Sequence, residues 1–254
     1  KCPGLDLTLS TFPIEFDCPR CNGMVEIWSD EIKRRCRQCG TMVLNPEPSV
    51  KIPNTKAIEP EGDNLQDSID ELLEFAMSLG SNAVTIVDSK SIQIEEQLAD
   101  LCREARCPNY GLSLTCPPHI KGPVWLKKYI RKTPQAILIE IRVPQELMYS
   151  DQRKEIGKLL HFIVIQVEQT AREKGLVKSI SFAGGSCKNL QCSEHAFCNV
   201  LHGDGNCRYP NQSRPSVSGY GINMNHLLTH VGWSQNNNDS SIPTSSRYGL
   251  VLLG

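Results

Sequence analysis

The spacing of apolar residues changes period several times along the chain, and each change marks an expected element. Phe12 to Val43 forms a short unit in which Met24-Val25-Glu26-Ile27-Trp28 alternates apolar and polar side chains, the two-residue period of a strand, with Asp30 as the turn residue after it. Asn45 to Asp63 carries Pro, Glu and Lys with little apolar period and reads as a linker. A helix is expected after Asp63-Asn64, where Leu65, Ile69, Leu72, Leu73 and Ala76 fall on one face and Gly80 offers a C-cap. Ala83 to Val87 reads as a short buried strand, and Ile94 to Arg103 and Val124 to Arg131 as helices. Ala136 to Val143 is a strand stopped by Pro144.

Ser150 or Asp151 should cap a long helix whose stripe is Ile156, Leu159, Leu160, Ile163, Val167 and Ala171, ended by Gly175. Val177 to Phe182 and Tyr248 to Leu253 are expected strands, Asn223 to His230 a short helix, and Gln235 to Ser246 a polar surface loop. Strands alternating with helices imply an α/β layered fold, with mixed α+β as the variant. The domains are expected at 1–45, a small ribbon; 46–64, the linker; and 65–254, the layered domain.

Charge narrows the partners. With 27 basic and 28 acidic residues among 254, the formal net charge is −1, and only 6% of residues are aromatic. Neither value suits a nucleic-acid surface, and Lys33-Arg34-Arg35 is too short a basic run to alter that. No apolar run approaches a membrane span. Lys1-Cys2-Pro3-Gly4 lacks the basic-then-apolar pattern of a signal peptide, so the expectation is a cytoplasmic protein.

Twelve cysteines dominate the chemistry, and their short spacings suit metals better than distributed disulfides. Cys18-Pro-Arg-Cys21 and Cys36-Arg-Gln-Cys39-Gly40 are paired C-x-x-C knuckles. Four thiolates satisfy a closed, tetrahedral structural zinc, and iron is the rival metal. Gly40 lets the backbone curl beneath the sulfurs. Cys2 has no partner by spacing.

The other seven fall into two groups, Cys102, Cys107 and Cys116, then Cys187, Cys192, Cys198 and Cys207. Cysteines in turns rich in Gly and Pro suit iron–sulfur clusters, [4Fe–4S] in type and one or two in number, because loop amides can donate to the sulfides. Gly184 and Gly185 permit close approach to an anionic cluster. The spacings match neither common ferredoxin run, and zinc at one site is the alternative. Seven thiolates leave two four-iron clusters one ligand short. His119, His195, His202 or Asp204 could fill the place, one iron could stay open, two cubanes could share a bridging atom, or one cluster could sit beside spare thiols.

Trp125 and Tyr129 at helical spacing read as core rather than a cofactor platform. Arg214 could neutralise a cluster, anchor a phosphate or form a surface salt bridge. The Cys187 thiol could act as a nucleophile, but no His is placed by sequence to activate it.

Cys107-Pro-Asn-Tyr-Gly111, Cys116-Pro-Pro118, Gly184-Gly-Ser-Cys187, Cys207-Arg-Tyr-Pro210 and Arg214-Pro-Ser216 followed by Gly221-Ile-Asn resemble the predicted metal-binding proteins of domain of unknown function 2284 over residues 65 to 254. The ribbon segment resembles small ribbon modules of anaerobic bacteria and archaea. The chain departs from the family pattern twice. Four residues separate Cys187 from Cys192, where a tighter C-x-x-C is common, and Tyr220 stands where a further cysteine is common. The resemblance implies iron–sulfur clusters in an anaerobe, near corrinoid methyl-transfer or one-carbon systems.

Three functions compete. The first is an electron-transfer accessory protein serving a partner such as a corrinoid or other metalloenzyme, with the ribbon as its docking module. The second is an enzyme with an open-coordination iron, and the third a structural or regulatory zinc adaptor.

Overall fold

The computed structural model describes residues 13–18, 21, 23–28, 31, 33–44, 62–104, 107–203, 205–233 and 243–254. Cys2, Asp30, Asp204, residues 235–242 and nearly all of the expected linker lie outside them. The chain divides into two compact units, Lys1–Ile58 and Glu59–Gly254.

The first unit is two antiparallel hairpins, β1 (Pro13–Asp17) with β2 (Met24–Trp28) and β3 (Lys33–Arg35) with β4 (Met42–Leu44). The alternation read in Met24–Trp28 is real: Val25 and Ile27 are buried while Met24 and Glu26 face water. Among the described residues its core comprises Val25, Ile27, Val43 and the buried thiols Cys18 and Cys36.

The second unit contains α1 (Gly62–Ser78), β5 (Ala83–Asp88), α2 (Glu96–Glu104), α3 (Gly122–Tyr129) and β6 (Gln135–Pro144). It continues through α4 (Gln145–Met148), α5 (Gln152–Glu173), β7 (Ile180–Ala183), α6 (Cys187–Leu190), α7 (Asn199–His202), α8 (Met224–His230) and β8 (Thr244–Leu253). The sheet order is β5-β6-β8-β7, with every neighbouring pair antiparallel. The fold is thus mixed α/β, realised with an antiparallel sheet.

Both faces of the sheet are covered, which explains the unbroken apolar run in β6. Ile137, Ile139 and Ile141 join the α1 and α5 side, with Ile69, Leu72, Leu160 and Ile163. Ala136 and Leu138 join the opposite side, with Leu126 of α3 and Leu227 and Leu228 of α8. Gly249 of β8 sets how closely α5 packs, because a Cβ there would lie 2.4 Å from Val164 Cγ1.

Some expectations shift in detail. β5 is an edge strand and mostly half-buried, with Val87 alone of Ala83–Val87 fully buried. Ile94 pairs with Ile222 in an isolated bridge, so the helix read from Ile94 starts at Glu96. The strand read over Val177–Phe182 is confined to Ile180–Ala183. Val177 is exposed, and the turn before the strand is held by Arg172 Nε donating to Ser179 O at 2.9 Å. Thr244–Ser246, read as loop, instead open β8, paired with Val143 and its neighbours; their small hydroxyls gave no apolar signal. Leu159 of the long-helix stripe is partly exposed. The helix read from Asn223 starts at Met224, and Asn223 caps it, its Oδ1 accepting from His226 N at 2.9 Å.

Candidate metal centres

The two knuckles of the first unit are built alike. Cys18 N donates to Gly23 O at 2.9 Å and Cys36 N to Thr41 O at 2.7 Å, so each turn closes under its first cysteine. Gly40 has a positive φ of 73°, as its place at the end of the knuckle requires. The four sulfurs of Cys18, Cys21, Cys36 and Cys39 all lie within 4.8 Å of one another, with Cys18–Cys39 at 3.5 Å and Cys21–Cys36 at 3.7 Å. A tetrahedral zinc with Zn–S bonds of about 2.3 Å sets its sulfurs about 3.8 Å apart, so the donor set fits one tetrahedral ion. The hydroxyl and N–H of Thr41 pull the Cys39 thiol down to about 6, while Cys21, against the pull of the Gly23 backbone, is pushed up by Cys39 and the other thiols, so the ribbon sulfurs share their charge unevenly.

The seven remaining cysteines separate in space as they do in sequence. Cys102 at the end of α2, with Cys107 and Cys116 on the loop that follows, lines a cavity of about 460 Å³. Cys187, Cys192, Cys198 and Cys207 surround a second, nearly filled space of about 20 Å³. Burial raises the Cys102 thiol, with added repulsion from Cys107 and Cys116. Burial also raises Cys192, which feels Cys187, Cys207 and Cys198, with Arg208 opposing. Cys102 and Cys192 thus each sense the members of their own group. No three of the seven bring their sulfurs within 4.8 Å of one another, unlike the ribbon set.

The groups touch through polar side chains. Thr115, beside Cys116, accepts the Cys187 N–H on its Oγ1 at 3.2 Å. Ser113 Oγ lies 3.0 Å from Ser186 Oγ and 3.2 Å from Thr115 Oγ1, and both Ser113 and Ser186 are buried. Lys188 Nζ donates to Cys192 O at 3.0 Å and Arg208 donates to Phe197 O at 2.8 Å, setting two cations beside the four-cysteine group. Cys207 is exposed and Phe197 partly so, which brings this group to the surface.

The histidines weighed as ligands have these neighbours. His119 Nε2 lies 3.2 Å from Gly111 O, His202 stacks on Phe197, and His195 packs near Tyr209. Trp125 and Tyr129 stack at 4.6 Å against the core, as expected. Tyr220 is likewise a core residue, edge-on to Phe182. The salt bridge weighed for Arg214 is present, but away from the surface. It is an internal ion pair, Arg214 Nε donating to Glu168 Oε2 at 2.6 Å, and Glu168 also takes Ser181 Oγ at 2.5 Å and Arg172 at 2.8 Å.

His161 escaped the sequence reading. It is fully buried on α5, its Nδ1 accepts the Arg214 N–H at 2.9 Å, and its Nε2 has no hydrogen-bond partner. It lies beneath Gly185, whose φ of 112° suits only glycine and whose added Cβ would sit 3.8 Å from Nε2. Burial holds His161 down at about 4, with the Gly184 backbone opposing and Arg214 assisting. A base depressed in the folded state stabilises fully above its ordinary value of 6.5, and that contribution is lost as pH falls from 6.5 towards 4. Between pH 7 and pH 4 the native protein should lose about 3 kcal/mol more stability than His161→Gln in urea unfolding. Equal losses would remove His161 from this role.

One family model, described as predicted metal-binding protein (DUF2284), matches residues 85–253, two thirds of the chain. The chain belongs to this family. The matched span of this DUF2284 protein holds all seven cysteines of the two groups and leaves the ribbon outside it. Searches of curated proteins and of solved structures return no match. Among the described residues, no helix is long and apolar enough to cross a membrane.

Proposed function

We propose that this DUF2284 protein is an iron–sulfur electron carrier of anaerobic, cytoplasmic metabolism, with a structural zinc in its ribbon. Two observations support clusters over single ions in the second unit. The seven thiols gather into groups of three and four on turns rich in Gly and Pro, the loop chemistry that suits cluster ligation. Lys188 and Arg208 flank the four-cysteine group, where they would offset an anionic centre.

The observation that carries electron transfer is the hydrogen bond from Cys187 N to Thr115 Oγ1, which, with the Ser113–Ser186 contact, joins the two cysteine groups. An electron entering at the exposed Cys207 side would have a short path to the Cys102, Cys107 and Cys116 side. When bound, the clusters supply one-electron redox chemistry. The chain's own residues would fix the two centres and leave the Cys207 rim open to a partner protein, for which a corrinoid or one-carbon metalloenzyme is the proposed class.

The test is anoxic reconstitution with iron and sulfide, then metal and sulfide analysis and EPR after dithionite reduction. The wild type should carry labile sulfide and two interacting reduced signals. Cys192→Ala and Cys107→Ala should each lose about half of the iron, the share expected if each group holds one four-iron cluster. Protein that takes up zinc alone, without sulfide, would end this reading in favour of the zinc adaptor.

A further inference from the structure

Two thiol groups of one chain differ in both ligand count and free space. The four-cysteine group closes on about 20 Å³, whereas the three-cysteine group opens on about 460 Å³. Four thiolates saturate a cubane, one per iron; three leave one iron without a protein thiolate. Among the described residues lining the larger cavity there is no fourth thiol, imidazole or carboxylate.

The rest of that wall suits a ligand. Ser216 and Ser218 present hydroxyls, and Ser216 Oγ already accepts the Gly219 N–H at 3.3 Å, which leaves its own proton to donate. Leu98, Leu101, Ile222 and Met224 give the opposite side an apolar character. The cavity falls within the range of small-molecule sites, and a cluster would fill part of it, so the occupant is compact.

Resting on the carrier reading, we infer that Cys102, Cys107 and Cys116 hold a cluster whose open iron faces this cavity, and that the cavity takes a small monocarboxylate. One anionic oxygen at the open iron gives the centre the same charge as a four-thiolate cluster, and the serine hydroxyls suit the carboxylate's second oxygen. The inner group is then the ligand-binding terminus of the electron path, and the outer group is the port.

The test uses the anoxically loaded full chain. Limited ferricyanide should take one electron and release the one iron lacking a thiolate as ferrous iron, giving a three-iron EPR signal that ferrous iron together with dithionite reverses. The signal should persist in Cys192→Ala and be absent in Cys107→Ala. Glycolate should shift the reduced EPR signal of the wild type, and malonate, with a second charge, should do so far less. Ser218→Val should weaken the glycolate response about tenfold while leaving the ferricyanide-generated three-iron signal unchanged. A loaded cluster at Cys102, Cys107 and Cys116 that yields no three-iron species would overturn the open iron while leaving the carrier intact. Appearance of that species only in Cys2→Ser would likewise overturn it, by making Cys2 the fourth ligand. Iron content unaffected by Cys107→Ala would sink the inference and the two-cluster carrier together.

Discussion

Cys36→Ser should empty the ribbon of metal and unfold the first unit while the second keeps its structure. Among the described residues, the buried side chains of that unit are Val25, Ile27 and Val43, and the thiols Cys18 and Cys36 pack among them. The metal ligands are thus themselves part of the core, and in a unit this short the metal is what offsets the entropy of ordering four strands. A structural tetrahedral metal contributes about 10–16 kcal/mol in modules of this kind, so folding and metal binding become one event. Serine at the buried Cys36 position offers a poor, protonated donor and leaves three thiols around an ion that wants four.

The measurement is a pair of two-dimensional amide NMR spectra with metal analysis. The ribbon resonances, including those of Cys18 and Thr41, should collapse to unfolded positions, and one metal equivalent should be lost. A strong chelator should reproduce this in the wild type. Retention of dispersed ribbon signals in Cys36→Ser would show that the hairpins fold on packing alone.

The legibility of this chain follows the range of its interactions. The knuckles, the α5 stripe and the β6 run were readable because their signals are local periods. The partition of seven thiols into three and four was readable too, because each group is contiguous in the chain. The antiparallel order β5-β6-β8-β7 was not, since β6 pairs with β8 across more than a hundred residues. Nor was the Ser113–Ser186 contact, 73 residues apart, because a serine in a loop carries no period. The contrast between a filled and an open thiol site depends on loop packing, which no spacing encodes. His161, Glu168 and Arg172 did leave a trace. They recur at helical spacing within α5 as a polar seam beside its apolar stripe, and a polar seam on a buried helix implies internal partners. The partner of Arg214 was illegible for the same reason of range, since that carboxylate lies 46 residues upstream.

That seam carries the second large effect. Glu168→Gln should destabilise the second unit by about 3–5 kcal/mol, the cost of leaving a buried charge without its partner. Glu168 is 3% exposed and receives Arg214, Arg172 and Ser181. Arg172 can turn to water, since its side chain is 45% exposed, but that of Arg214 is 15% exposed and cannot. The loop it anchors also ties the cysteine loops together: Ala183 N donates to Pro215 O at 3.1 Å and Ser216 N to Thr115 O at 2.9 Å. Loosening it should therefore reduce iron retention at both groups as well as global stability. Leu at both 168 and 214 should recover much of the loss, because an apolar pair of similar volume avoids desolvating either charge. Urea unfolding of the loaded protein gives the energies, and iron content after gel filtration gives the retention. If Glu168→Gln costs less than about 1 kcal/mol, the value typical of a surface pair, water reaches Arg214 and the seam is not what fixes the cysteine loops.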